Sequence, residues 1–288
     1  MRDPLRIAEA LRIAGLPCPQ VRLDPDGLPR DGSWLVKPLA SAGGQDIHPL
    51  LGEHDRPRQP CYYQERIDGP VLSAVMLGSR DRDHPTANVV GVTWQWVGRP
   101  GAPFGYRGSI GPYAISTEER QQIERLGRAL ALAFGLVGLF GVDVIMRGGQ
   151  PWPVEVNPRY TASVEVLELA LGRALLADHR QACDPDDTTA EPRASASPSA
   201  HPRAIVGKVI LFAENDFTFP DYPITGLGSS GTFALPDLAD IPVPGTCFLP
   251  GEPVLTLFAQ AESFSACRAA LADRLAQWHG RLQGLSLD

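Results

Sequence analysis

The sequence predicts an α+β fold, and three observations carry the prediction. The first third is rich in short apolar runs with period-two alternation, clearest at Val90, Val92, Trp94 and Trp96. A capping box, Ser116-x-x-Glu119, then opens an amphipathic helix. Behind it, two apolar runs about Gly148-Gly149-Gln150 form a β-hairpin.

In chain order, Leu5, Ala8, Leu11 and Ile13 lie near helical spacing, with Gly15 as a stop and Pro17 and Pro19 beyond it. Leu35 to Lys37 and Tyr62 to Glu65 are strand ends, and Leu72 to Leu77 and Val89 to Trp96 are further strands. From Gly98 to Pro112 the density of Gly and Pro predicts an irregular loop that folds over a ligand. The capped helix follows, through Ile123, Leu126, Leu130 and Phe134 to Gly135, and the hairpin pairs Leu139 to Met146 with Trp152 to Val156. Ser163 to His179 is a further helix, with Val164, Leu167, Leu171 and Leu175 on one side. Residues 184–203 lack aliphatic side chains larger than alanine and are expected to be a flexible linker or loop. Strands at Ala204 to Ala213 and Val254 to Ala259 and a helix from Ser265 to His279 close the chain. The expected division is a main domain over 1–183, the linker, and a strand-rich C-terminal segment over 204–288.

The 288 residues are 43% hydrophobic and 20% charged, an ordinary globular balance. A formal charge of −7, with arginines scattered among acids, argues against a nucleic-acid partner and for a small molecule. The five cysteines are widely separated and lack C-x-x-C spacing, and the six histidines show no metal spacing. Reduced thiols and a cytoplasmic location are therefore expected. The longest apolar run, Ala129 to Val142, is interrupted by three glycines and is too short to span a bilayer, so no membrane partner is expected.

Chemistry concentrates around one lysine. Only two of the twenty-six basic residues are lysines, and Lys37 ends the apolar run Trp34-Leu35-Val36, directly before Ser41-Ala42-Gly43-Gly44. A compact ammonium beside a glycine loop suits nucleotide phosphates. Downstream, Asp143, Glu155 and Asn157 supply oxygens of the kind that hold magnesium against phosphates. If the hairpin loop centres on Gly149, Asp143 lies directly opposite Glu155 on one face, with Asn157 two residues on. Like charges so opposed are unfavourable without a cation between them.

In order and type, the strand lysine and Gly-Gly loop, Tyr62-Tyr63-Gln64-Glu65-Arg66-Ile67-Asp68-Gly69, Asp143, and Glu155-x-Asn157-Pro158-Arg159 resemble the ATP-grasp superfamily, in its branch of carboligases related to biotin carboxylase. The resemblance covers roughly residues 1–182, and the C-terminal segment is similar to the small barrel-like tail of that branch. It implies two α+β subdomains that clamp ATP, and an ADP-forming ligase that activates a carboxylate as acyl phosphate for capture by an amine. Bicarbonate as the activated carboxylate, or a nucleotide-binding module without catalysis, are the alternatives. Lys37 would contact the α- and β-phosphates, Gly43 and Gly44 would cover them, and Gln64, Glu65 and Ile67 would form the adenine hinge. Asp143, Glu155 and Asn157 would hold magnesium, with manganese as a substitute, and Arg159 would stabilise the transferring group. Three departures stand out: Val71 replaces a ribose-binding glutamate, a leading domain and its phosphate lysine are not evident, and Arg107 stands where a loop lysine is usual, beside Ser109. A homodimer or a partner subunit would be compatible with that pattern.

Overall fold

The computed structural model describes residues 3–40, 43–52, 59–80, 86–99, 101–184, 204–221 and 233–283. A helix, α1 (Pro4–Ile13), opens the chain, its N-terminus capped by the Asp3 carboxylate accepting from Leu5 N and Arg6 N. A small antiparallel sheet follows: β1 (Val21–Arg22), β2 (Trp34–Pro38), β3 (His48–Pro49) and β4 (Cys61–Glu65), in the order β1-β4-β2-β3. The alternation of β2 sorts its side chains by face. Trp34 and Val36 pack with Leu50 and Tyr63 in a core of their own, while Leu35 opposite Gln64 and Lys37 opposite Tyr62 look the other way.

The second sheet is built on β5 (Val71–Gly78), β6 (Ala87–Arg99), β7 (Ala102–Gly111), β8 (Gly138–Arg147) and β9 (Gln150–Asn157). To these the C-terminal segment adds β10 (Ile205–Phe212), β12 (Leu238–Ala239) and β14 (Pro253–Ala261), with β11 (Phe217–Thr218) and β13 (Cys247–Phe248) as a separate ribbon. The order is β12-β14-β10-β7-β6-β5-β8-β9. The C-terminal strands thus continue the same sheet as the hairpin that bears Asp143. Residues 185–203, most of the expected linker, lie outside the described residues.

One face of this sheet is closed by α1 and by α2 (Thr117–Phe134), whose Ile123, Leu126 and Leu130 bury against Leu72, Met76 and Phe140. Ser116 and Glu119 form the capping box read from the sequence, and Gly135 ends the helix. At the C-terminal side, α5 (Phe264–Gln283) sets Leu271, Leu275 and Trp278 against β10 and β14. The opposite face carries α3 (Ala162–Leu171) and α4 (Leu175–Cys183), with Val164, Leu167 and Leu175 on Val75 and Leu139. Among the described residues no other helix covers that face, and the rest of it looks toward the small sheet across a cleft lined by both.

Two expectations are corrected. Residues 98–112 are not an irregular loop: β6 runs to Arg99 and β7 occupies Ala102–Gly111, hydrogen-bonded to β6 on one side and β10 on the other. Gly101, with φ +75 and open space about it, makes the turn between the strands, whereas Gly108 serves close packing. A Cβ on Gly108 would stand 2.3 Å from Lys208 O on β10, so glycine is what lets the C-terminal strand approach. The single helix expected over Ser163 to His179 is two, broken at Gly172, the C-cap of α3. The Glu168 carboxylate then accepts from Leu175 N and Leu176 N and opens α4.

Candidate active site

The hairpin β8–β9 sets the geometry. Its ladder runs Arg147 opposite Gln150 to Val144 opposite Pro153, a register that would place Asp143 across from Val154. A β-bulge at that point inserts Val154 and restores Asp143 to Glu155. The expected pairing is therefore present, by a different route from a loop centred on Gly149. The bulge also turns the Val154 carbonyl out of the ladder, where it accepts a hydrogen bond from Lys37 Nζ at 3.1 Å.

Lys37 crosses to this carbonyl from the small sheet and donates also to Gln64 Oε1 at 3.0 Å. Its ammonium lies over the Tyr62 ring, 5.6 Å from the centroid. Burial pushes the Lys37 pKa down, and the Glu155 and Asp143 carboxylates oppose that shift. Between the sheets lies a cleft of about 380 Å³. Lys37, Gly43, Gly44, Gln64, Glu65, Ile67, Asp143, Glu155, Asn157 and Arg159 all line it.

Gly43 O accepts from Tyr106 N at 2.8 Å, which pins the glycine loop to the middle of β7. Gly44 has φ +72, and a Cβ there would sit 2.0 Å from Phe104 O, so no other residue fits this contact. At the end of β4, Glu65 N donates to Gln20 O and Arg66 N to Ser33 O, both at under 3 Å. The Glu65 carboxylate accepts from Gln20 N, so this side chain is tied to the small sheet.

Asp143 is the most perturbed acid. Burial, then the neighbouring Glu155, push its pKa up to about 6, against the Ser73 hydroxyl, the hydrogen bond from Gln95 and the charge of Lys37. Its Oδ1 accepts from Gln95 Nε2 at 2.9 Å and its Oδ2 from Asn157 Nδ2 at 3.3 Å. Arg159 donates to Asn157 Oδ1 at 3.4 Å and to Tyr160 O at 3.1 Å. Among the described residues no group of three or more His, Cys, Asp or Glu could hold a metal. The donor set here is instead two opposed carboxylates and an amide oxygen. Such hard oxygens suit Mg²⁺, which is held by one or two carboxylates and keeps its other positions for phosphate and water. A divalent cation would also relieve the like-charge contact that raises Asp143, so the residues fit the group.

Arg107 does not join the site. It falls between the ladder pairs Trp96 with Gly108 and Val97 with Tyr106, and stacks over Trp96 at 5.6 Å. Burial pushes its pKa down, and the charge of Glu214 in the C-terminal segment opposes that shift. Arg107 is the unpaired residue of a β-bulge, and it is Tyr106 before it that lines the cleft. The Tyr106 hydroxyl and Ser109 Oγ share a hydrogen bond of 2.8 Å.

Ser73, Gln95, Thr161 and Ser163 line the cleft without having been singled out in the sequence. Ser73 Oγ and Thr161 Oγ1 are buried and unpartnered. Thr161 is the N-cap of α3, yet its hydroxyl does not cap the helix. Ser163 Oγ accepts from Thr93 Oγ1 at 2.7 Å. Period two alone could have found Gln95, a polar residue between Trp94 and Trp96 on the face opposite theirs.

A model of the ATP-grasp domain matches residues 1–163. The chain belongs to the ATP-grasp family. Its sequence is 32% identical over 151 residues to the carbamoyl phosphate synthase large chain of Neisseria gonorrhoeae, covering 49% of this chain and 14% of that protein. It is 31% identical over 131 residues to the formate-dependent phosphoribosylglycinamide formyltransferase of Pseudomonas aeruginosa, covering 43% and 33% respectively. The chain therefore spans well under half the length of these curated relatives. The fold is similar to an L-amino acid ligase from Bacillus licheniformis, with TM-score 0.72, 15% identity, and 94% of this chain and 70% of that one covered. It is also similar to the biotin carboxylase domain of the Hydrogenobacter thermophilus 2-oxoglutarate carboxylase, crystallised with MgADP and bicarbonate. That match has TM-score 0.67 at 16% identity, over 96% of this chain and 64% of the other. The two sheets that face each other across the cleft are thus those of an ATP-grasp fold. Among the described residues, no helix is long and apolar enough to cross a membrane.

Proposed function

We propose that this ATP-grasp protein is a carboxylate–amine ligase that forms an acyl phosphate and releases ADP. One observation carries the reading: Asp143 and Glu155 oppose each other in the same cleft that Lys37 and the Gly43-Gly44 loop enter from the other sheet. Phosphoryl transfer asks mainly for positioning and charge neutralisation, and these groups supply both.

In this reading the adenine lies at the hinge, against Ile67. Lys37 neutralises the α- and β-phosphates, and the N–H groups of Gly43 and Gly44 close over them. Magnesium, when bound by Asp143, Glu155 and Asn157, supplies charge neutralisation at the phosphate oxygens. Arg159 and the Thr161 hydroxyl, just ahead of α3, hold the substrate carboxylate in line with the γ-phosphorus, helped by the positive end of the helix. One carboxylate oxygen bonds to that phosphorus as its bond to the ADP oxygen breaks. The amine nitrogen then bonds to the acyl carbon, phosphate leaves with its bonding pair, and the nitrogen loses a proton.

The test is ADP release by the purified protein with ATP and Mg²⁺ across amino acids, other amines, carboxylates and bicarbonate, with Glu155→Ala as control. The reading expects ADP that depends on a carboxylate and an amine together and is lost in the variant. Release of AMP and pyrophosphate would overturn it, and ADP that needs bicarbonate alone would replace it with a carboxylase-like reaction.

A further inference from the structure

We propose that Gln95 is a positioning residue that aims Asp143 at the cation shared with Glu155; the inference rests on the reading of the cleft as a nucleotide and cation site. Asp143 stands on β8 and Gln95 on β6, with β5 between them. Ser73 of β5 is opposite Asp143 on one side and Thr93 on the other, so Gln95 lies two residues beyond the matching position. Its side chain therefore crosses β5 diagonally to bring Nε2 to Asp143 Oδ1 at 2.9 Å. The longer contact, Asn157 Nδ2 to Oδ2 at 3.3 Å, arrives from β9 on the opposite side. The carboxylate plane is held between two amides.

The alternative partner for this carboxylate is the Lys37 ammonium, whose charge already acts on it. Lys37 instead spends its hydrogen bonds on Gln64 and Val154. A carboxylate freed from Gln95 would turn toward Lys37, and a direct ion pair would occupy both groups at once. Glutamine suits this task because it donates without charge. It fixes the oxygen and leaves the negative field of Asp143 and Glu155 intact for a cation. A lysine or arginine at residue 95 would cancel that field, and a leucine would leave the oxygen unanchored. The Ser73 hydroxyl, directly opposite Asp143, also favours its ionised form, but it makes no hydrogen bond that would fix the direction of the carboxylate.

The experiment is calorimetric titration of ADP into the full chain, once with excess Mg²⁺ and once with EDTA, for wild type, Gln95→Met, Gln95→Leu and Asp143→Asn. The ratio of the two affinities isolates the cation's contribution from that of the nucleotide. Gln95→Met keeps the length of the side chain and removes only the amide. The proposal expects that ratio to fall about tenfold or more in both Gln95 variants, as for other groups that orient a metal ligand, with metal-free ADP affinity within about twofold of wild type. The electron paramagnetic resonance spectrum of bound MnADP should change with it. An unchanged ratio in the Gln95 variants, with a reduced one in Asp143→Asn, overturns the positioning role alone. Equal loss of both affinities makes Gln95 merely structural and overturns it as well. A wild-type ratio in Asp143→Asn, or no ADP binding by wild type, overturns the cation and nucleotide reading on which the proposal rests.

Discussion

Ionising Asp143 costs the fold stability, because burial and Glu155 disfavour its charge. Its pKa is raised to about 6 from an ordinary carboxyl value near 4. Below about pH 4 the group is protonated in both folded and unfolded chains, and its contribution to stability is fully present. As pH rises toward 6 the unfolded chain loses the proton more readily, so that contribution is lost, and it stays lost above pH 6. Asp143→Asn is therefore expected to raise the Tm of the nucleotide-free protein at pH 8 and to change it little at pH 4, while removing turnover. Scanning calorimetry at the two pH values in EDTA checks this. Lys37 carries a different burden: its ammonium is positioned by Gln64 and the Val154 carbonyl. Lys37→Met is expected to lower kcat roughly a hundredfold, the scale of removing one preorganised donor to developing charge. Lys37→Arg should not restore it, because a planar fork cannot meet the same two acceptors as a compact ammonium. Steady-state ADP release reads both.

Among elements, the β8–β9 hairpin shows how one inserted residue sets chemistry. Without the Val154 bulge the ladder would oppose Asp143 with Val154, and Glu155 would turn to the other face of the sheet. The glycine loop depends equally on a close backbone contact. Gly44→Ala brings a Cβ within 2.0 Å of Phe104 O and imposes a left-handed conformation on alanine. The expected result is loss of ATP affinity by about tenfold or more, the order of the 1–3 kcal/mol such strain costs, with little change in the small sheet. Fluorescence titration with a nucleotide analogue, alongside circular dichroism, separates the two effects. Away from the cleft, Ser116→Ala removes the capping box of α2 and should cost about 1 kcal/mol of stability without touching nucleotide affinity. Urea unfolding monitored by circular dichroism measures that cost.

For the whole molecule, the decisive feature is that β10 pairs with β7 on one side and β14 on the other. Ile110 of β7 is buried in the same cluster as Val209, Leu257 and Leu271 from the C-terminal segment. Lys208 of β10 further pairs with Glu165 of α3, on the helix that follows Arg159. A chain ended after residue 183 would expose the edge of β7 and this apolar face together. It is expected to aggregate rather than yield a working nucleotide-binding domain, as size-exclusion chromatography and ADP titration would record. The family match stops at residue 163, yet the fold does not divide there.

The α+β class, the capped helix, the hairpin and most of the residues that line the cleft were legible from local patterns in the chain. Lys37, Gly43, Gly44, Asp143, Glu155 and Asn157 were legible because each is a polar or glycine exception placed at the end of, or within, an apolar run. Such local contrasts survive in one dimension. Tertiary contacts, in contrast, are what extend β6 to Arg99 and make Ala102–Gly111 a strand, set Tyr106 rather than Arg107 on the cleft, and bring Gln95 to Asp143. Each of these depends on pairing between segments far apart in the chain, and on a bulge or a close glycine contact whose energy appears only when the second strand is in place. The face of Tyr106 is set by the bulge in the β6–β7 ladder, while β10, which holds the other edge of β7, lies about a hundred residues further along the chain.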